Sequence, residues 1–198
     1  MTRSWIFTSA LTVMAFLSSS NLETQSLRDQ KDVAAQAVPS TTPDLGPMNE
    51  VLRQREGTWD VTTEIQASPN SAKIVSKGTQ TNRLGVGGVW LVSDFEGEIG
   101  GHPLNGHAIT GFDPQKSKYE GVWVDSAGRH ITLVEGTYDS SKKTFQTTSV
   151  ENDTNGKANA VTGVQRFVDP NTEVLTLFSR GPDGQTSRSM TITYRRRL

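Results

Sequence analysis

The sequence predicts an all-β fold, a single antiparallel meander barrel of about ten strands with a short N-terminal helix. Three observations carry this. From Trp59 to the C-terminus, apolar and polar residues alternate in short runs broken by turn signals, at the spacing of an all-β barrel or sandwich. No segment after Gly57 holds a helical period long enough to cross over between parallel strands, so the strands are expected to pair antiparallel. Glycines 78, 97, 106, 111, 121, 136 and 163 lie inside the strand-like runs, where curvature and bulges are made. A meander of this length closes or leaves two long edges exposed, which favours the barrel over a two-sheet sandwich.

In chain order, residues 1–20 read as a secretory signal. Arg3 supplies the basic start, residues 5–17 are an apolar run too short to span a bilayer comfortably, and Ser18-Ser19-Ser20 are small residues suited to cleavage. A mature start is expected near Asn21, with Ala35-Gln36-Ala37 as a second possible site and an uncleaved anchor as the alternative. The protein is then exported, periplasmic or secreted, with no stable membrane insertion after cleavage. Residues 21–46 mix Ser, Thr, Gln, Asp and Ala without an apolar period, the profile of a disordered linker. The barrel domain spans 47–198. Pro47 at a first turn, Met48, Val51 and Leu52 at helical spacing and Gly57 as the stop predict a helix of one or two turns over 47–56, placed to cover one barrel end.

The predicted strands are 58–66, 73–84, 89–99, 102–112, 118–125, 130–138, 143–150, 160–168, 173–179 and 188–195. Between them stand Ser68-Pro69-Asn70, Gly100-Gly101, Asp113-Pro114, Ala127-Gly128, Asn155-Gly156, Asp169-Pro170-Asn171 and Pro182-Asp183-Gly184, all suited to turns. Ten strands enclose a lumen wider than that of an eight-stranded barrel, so a cavity is expected.

Composition narrows the function. The chain of 198 residues has no cysteine, which removes disulfides, thiolate metal sites and a cysteine nucleophile. A net charge of -1 gives no electrostatic footprint for nucleic acid, and Arg195-Arg196-Arg197 reads as a solvated tail. Gly85-Val86-Gly87-Gly88 lies between two strands, not before a helix, so it does not suit phosphate binding.

An ordered set of short motifs carries a resemblance. Gly57-Thr58-Trp59, Gly78 to Arg83, Gly87 to Trp90, Phe95-Glu96-Gly97, His107 to Asp113, Tyr119 with Trp123-Val124-Asp125, Glu135 to Asp139 and Gly181 to Gly184 together resemble domain of unknown function 1579. The resemblance covers roughly 52–197. It implies a lipocalin-like, calycin-type barrel and no particular reaction. By analogy with calycins, Arg195, Arg196 or Arg197 would cover Trp59. Nitrobindin-like haem barrels also open with Gly-x-Trp, but this chain has no histidine near its C-terminus and lacks their glycine-rich extension. No cofactor or metal is expected.

The residues most able to recognise a ligand are Trp90, Glu96, His107, Tyr119, Trp123, Asp125 and His130. Trp90, Tyr119 and Trp123 would wall the lumen, and Asp125 or His107 would anchor a polar group. Trp123 and Asp125 share one strand face, although Asp125 equally suits the start of the turn ahead of Gly128. His107 beside Asp94 or Glu96, or His130 beside Asp125, would make an acid–base pair. His102 and His107, five apart, fall on opposite faces of a continuous strand and cannot share a metal without a bulge. The expected function is binding of a small, partly apolar ligand in the lumen. The alternatives are an enzyme using a His/carboxylate pair and a protein-interaction module presenting loops at one barrel end; oligomeric state has no sequence signal.

Overall fold

The computed structural model describes residues 46–66, 71–152, 158–180 and 184–198. The leader, the linker, the turns at Ser68-Pro69-Asn70 and Asn155-Gly156, and Pro182-Asp183 lie outside them. Helix α1 (Gly46–Arg53) is followed by ten strands: β1 (Gly57–Ile65), β2 (Ile74–Gly85), β3 (Trp90–Ile99), β4 (His102–Asp113), β5 (Lys118–Asp125), β6 (Thr132–Asp139), β7 (Thr144–Asn152), β8 (Ala158–Asp169), β9 (Thr172–Arg180) and β10 (Thr186–Arg196). Each strand pairs antiparallel with the next, and β10 pairs with β1 from Trp59↔Arg196 to Ile65↔Met190. The barrel is closed, so no edge is left unpaired.

The turns follow from their residues. Val86 and Gly87 both take positive φ between β2 and β3, and the Gly88 amide donates to the Gly85 carbonyl at 3.1 Å. Gly100 and Gly101 do the same between β3 and β4, in the two-residue turn whose twist matches antiparallel strands. Asp113, Asp139 and Asp169 each use Oδ1 to accept backbone N–H groups two or three residues on, which closes the β4–β5, β6–β7 and β8–β9 hairpins. The sixth strand starts at Thr132 and not at His130, because Asp125 holds the chain in a turn through Gly128.

Period-two alternation of burial is clearest in β1. Trp59, Val61 and Thr63 of β1 are buried, and register carries that face round the barrel. At the end where β1 begins, Met48, Val51 and Leu52 of α1 dock on Leu84, Leu91, Phe112, Tyr119, Tyr138, Phe145 and Phe167. Leu52 is completely buried, worth about 1.5–3 kcal/mol. The helix is too short to be stable alone, so this packing holds it. A second cluster, Trp59, Val61, Phe95 and Tyr194 with Leu104, Trp123, Leu175 and Ile192, fills one side of the barrel further from the helix.

Four strand glycines make room for rings: Gly78 and Gly97 for Phe95, Gly106 for Trp123 and Gly111 for Trp90. The two register shifts fall at Phe167/Asp169 and Arg188/Met190, away from the glycines. A Cβ on Gly106 would lie 2.0 Å from Cη2 of Trp123, so only glycine lets that indole lie flat on β4.

Candidate functional site

Strand β5 sets the site. Its pairings place Tyr119, Gly121, Trp123 and Asp125 on the inward face, opposite Phe112, Thr110, Ala108 and Gly106 of β4. Trp123 crosses into the lumen over Gly106 and joins the Trp59–Phe95 cluster. Its Nε1–H donates to Asp125 Oδ2 at 2.8 Å. The other carboxylate oxygen, Oδ1, accepts the backbone N–H groups of Ala127 and Gly128, each at 3.0 Å. One side chain therefore closes the β5–β6 turn and fixes the indole, so the binding and turn readings of Asp125 are both realised in geometry.

Tyr119 faces inward but belongs to the floor. It is buried under α1, its hydroxyl donates to the Met48 carbonyl at 2.7 Å, and its ring meets Phe112 and Phe145 at 5.1 and 4.7 Å. Burial pushes its phenol up to about 12.

Three expected placements are corrected, all by strand parity. Leu91 takes the inward position, so Trp90 stands outside, 36% exposed, with its ring on Gly111. Phe95 takes the lumen, which leaves Glu96 exposed on the outer wall. His107 alternates outward from Gly106 and Ala108, and its Nδ1 lies 2.5 Å from Asp94 Oδ1. Asp94 Oδ2 accepts from Arg83 Nη1 at 2.5 Å. The hydrogen bond from His107, then that from Arg83, hold the Asp94 carboxyl below its usual range. This His/carboxylate pair is real, but it stands on the convex outer surface without an enclosing cleft. His130 is exposed in the β5–β6 loop, its ring against Gly128, and Asp125 is already engaged by other donors.

The sequence reading missed a polar group inside the barrel. Glu173 of β9 is 2% exposed, and its Oε2 accepts from Arg55 Nε at 3.1 Å and from Gln165 Nε2 at 2.5 Å. The Arg55 carbonyl takes both Trp59 Nε1–H at 3.0 Å and Asn82 Nδ2 at 2.8 Å, and Gln80 Nε2 donates to Asn82 Oδ1 at 2.9 Å. These bonds run from β2 past β1, β10 and β9 to β8, following the order of strands round half the barrel. The available signal was a polar inward face in β2, where Ser76, Gln80 and Asn82 face the lumen while Val75 of the opposite face is exposed. Tyr194 of β10 is buried nearby, and burial raises its hydroxyl to about 12.

The two ends of the lumen differ. Toward α1 the inward side chains Leu91, Tyr119 and Phe145 are buried beneath the helix, with Leu84, Phe112, Tyr138 and Phe167 partly buried around them. Toward the opposite end, Val134, Thr147, Ser149, Leu177 and Met190 face inward and are partly accessible, which makes this end the mouth. A crevice at its rim, among Glu64, Lys73, Arg188 and Met190, has about 10 Å³ of room, enough for one water. Among the described residues, no group of three or more His, Asp or Glu is arranged to hold a metal ion.

Two solved structures share this architecture. One is the S-type phycobiliprotein lyase CPES from Guillardia theta, at TM-score 0.56 and 12% identity, with 81% of this chain and 99% of that chain covered. The other is Rv2717c from M. tuberculosis, at TM-score 0.58 and 14% identity, with 78% and 100% covered. At these identities the likeness is one of fold. No curated protein sequence matches the chain. The sequence model of one family matches residues 44–196, nearly the whole described barrel, and the chain belongs to that family, protein of unknown function (DUF1579).

Proposed function

We propose that this is an exported protein that holds a small, partly apolar molecule in its barrel, admitted at the mouth opposite α1. The observation that carries the reading is the asymmetry of the lumen: a floor covered by α1 at the helix end, and inward apolar side chains that are partly accessible at the other. Trp123 stands between the two with its polar edge satisfied by Asp125, so its ring faces are left for apolar contact. A phycobiliprotein lyase built on the same barrel supports a small-molecule role. Arg3, the apolar run 5–17 and the three serines after it support export.

Tryptophan-fluorescence titration against a panel of lipophiles and haem tests the binding. A saturable change that disappears in Trp123→Phe is expected, and no response across the panel overturns the reading. Export is tested by N-terminal sequencing of protein recovered outside the cytoplasm, with a start near Asn21 expected and an intact Met1 as the contrary result.

A further inference from the structure

We propose that the inner end of the lumen is a subsite for the uncharged, hydrogen-bonding head group of an otherwise apolar ligand, formed by Gln80, Ser93, Gln165 and Tyr194. The inference rests on the reading of the lumen as a binding site and adds what the ligand's polar end must be.

The four side chains are only 7–8% exposed, yet each keeps a polar atom that the protein does not use. Gln80 and Gln165 each donate one amide N–H, to Asn82 and Glu173 respectively, and both amide carbonyls are without a donor among the described residues. The hydroxyls of Ser93 and Tyr194 have no hydrogen-bond partner among the described residues either. Every side-chain nitrogen or oxygen there that is sealed from solvent does have a partner. The unused atoms are therefore not fully sealed: each keeps some accessible surface that a water or ligand atom can reach. Burying such groups idle is costly, about 1–3 kcal/mol each, so they call for water or a ligand atom.

Position and charge define the occupant. Strand order places Gln165, Glu173, Tyr194 and Gln80 on β8, β9, β10 and β2, one arc of the barrel, while the inward positions of β4 to β7 include small Ala108, Thr110, Gly121, Gly136 and Thr147. The polar arc thus faces a wall of short side chains, with Leu175, Ile192 and Trp123 leading from it along the lumen. Arg55 and Glu173 neutralise one another, so the subsite has no net charge to offer. A carboxylate would meet buried Glu173, and an ammonium would meet Arg55. A hydroxyl or amide gains hydrogen bonds with Tyr194, Ser93 and the two carbonyls at no such cost.

Calorimetric titration of the purified protein with decanol, decanoate and decylamine separates the possibilities. Decanol is expected to bind at least about tenfold more tightly than either charged homologue. Tyr194→Phe removes a hydroxyl that the protein itself does not use, so it should weaken decanol roughly tenfold without lowering the melting temperature, and Ser93→Ala should act in the same direction. Equal or tighter binding of decanoate or decylamine overturns the subsite, as does unchanged decanol affinity in both variants. If the three probes fail while other lipophiles still bind, the subsite falls and the lumenal reading stands; if nothing binds, both fall.

Discussion

Trp123 and Asp125, two residues apart on β5, are joined by a single hydrogen bond of 2.8 Å from the indole to one carboxylate oxygen, while the other oxygen caps the following turn. Rim and lumen are thereby coupled: the residue that shapes the mouth also orients its largest aromatic wall. Asp125→Ala should therefore do more than loosen a loop. It removes three acceptor contacts, and a loss of about 1–3 kcal/mol in urea-unfolding stability is expected. The near-ultraviolet circular dichroism of Trp123 should weaken with it. Asp125→Asn should retain part of both, since an amide oxygen can still accept from either the turn or the indole.

Arg55 and Glu173 test the polar floor. They are mostly buried, with side chains 12% and 3% exposed. Glu173→Leu strands a guanidinium and takes away the acceptor of Gln165, so a loss of about 3–5 kcal/mol is expected. Adding Arg55→Leu should restore much of that stability, because the remaining charge is gone and hydrophobic replacement of a buried pair is often tolerated. A double-mutant cycle by urea unfolding measures the coupling; additive losses would mean that the two charges do not depend on one another.

Much of the architecture was legible because it is local. Alternation, two-residue glycine turns and aspartate-led hairpins are written in neighbouring residues, and the ten strands stand within about two residues of their expected limits. Facing was not legible to the same degree. A strand's period says that Trp90 and Leu91 point to opposite sides, but not which side is the lumen, and size alone favours the larger aromatic for the inside. Gly111 explains the outcome, since a bare backbone on the neighbouring strand gives Trp90 an outer surface to lie on. The interior polar group was missed for another reason: Arg55, Asn82, Gln165 and Glu173 are up to 118 residues apart in sequence, and only closure of β10 on β1 brings them together.

The outer pair of His107 and Asp94 makes a pH-dependent contribution whose sign is fixed. The Asp94 carboxyl titrates below its reference value of 3.8 because His107 and Arg83 bind its charged form. A lowered folded-state value means stability that is fully present above the unfolded value and lost as pH falls through the folded one. Asp94→Asn should therefore melt at a lower temperature than the parent near neutral pH, with the gap closing on acidification below about pH 4. The effect is small, because all three side chains are near or above two-fifths exposed and salt screens them. Melting curves across acid pH check this; a gap that persists undiminished at the acid end would mean that the charge at Asp94 contributes nothing.

Closure of the barrel is secured at Arg196. Its guanidinium lies 4.1 Å from the centre of the Trp59 ring and donates to the carbonyls of Glu56, Gln54 and Pro170, which ties the last strand to the chain just before the first and to the β8–β9 turn. The stack contributes about 1 kcal/mol, and three carbonyls lose a donor if the side chain is removed. Arg196→Ala should cost about 2–4 kcal/mol, and Arg196→Lys should recover less than half of it, since an ammonium has neither the planar face nor the fork. Gly57 is the other half of this contact. It sits at φ +114, and a Cβ there would come within 2.9 Å of Arg196 Nη1, so Gly57→Ala is strained in backbone and side chain at once. If the two positions act as one clasp, Gly57→Ala combined with Arg196→Ala should cost less than the sum of the single losses in urea unfolding, and strict additivity would separate them.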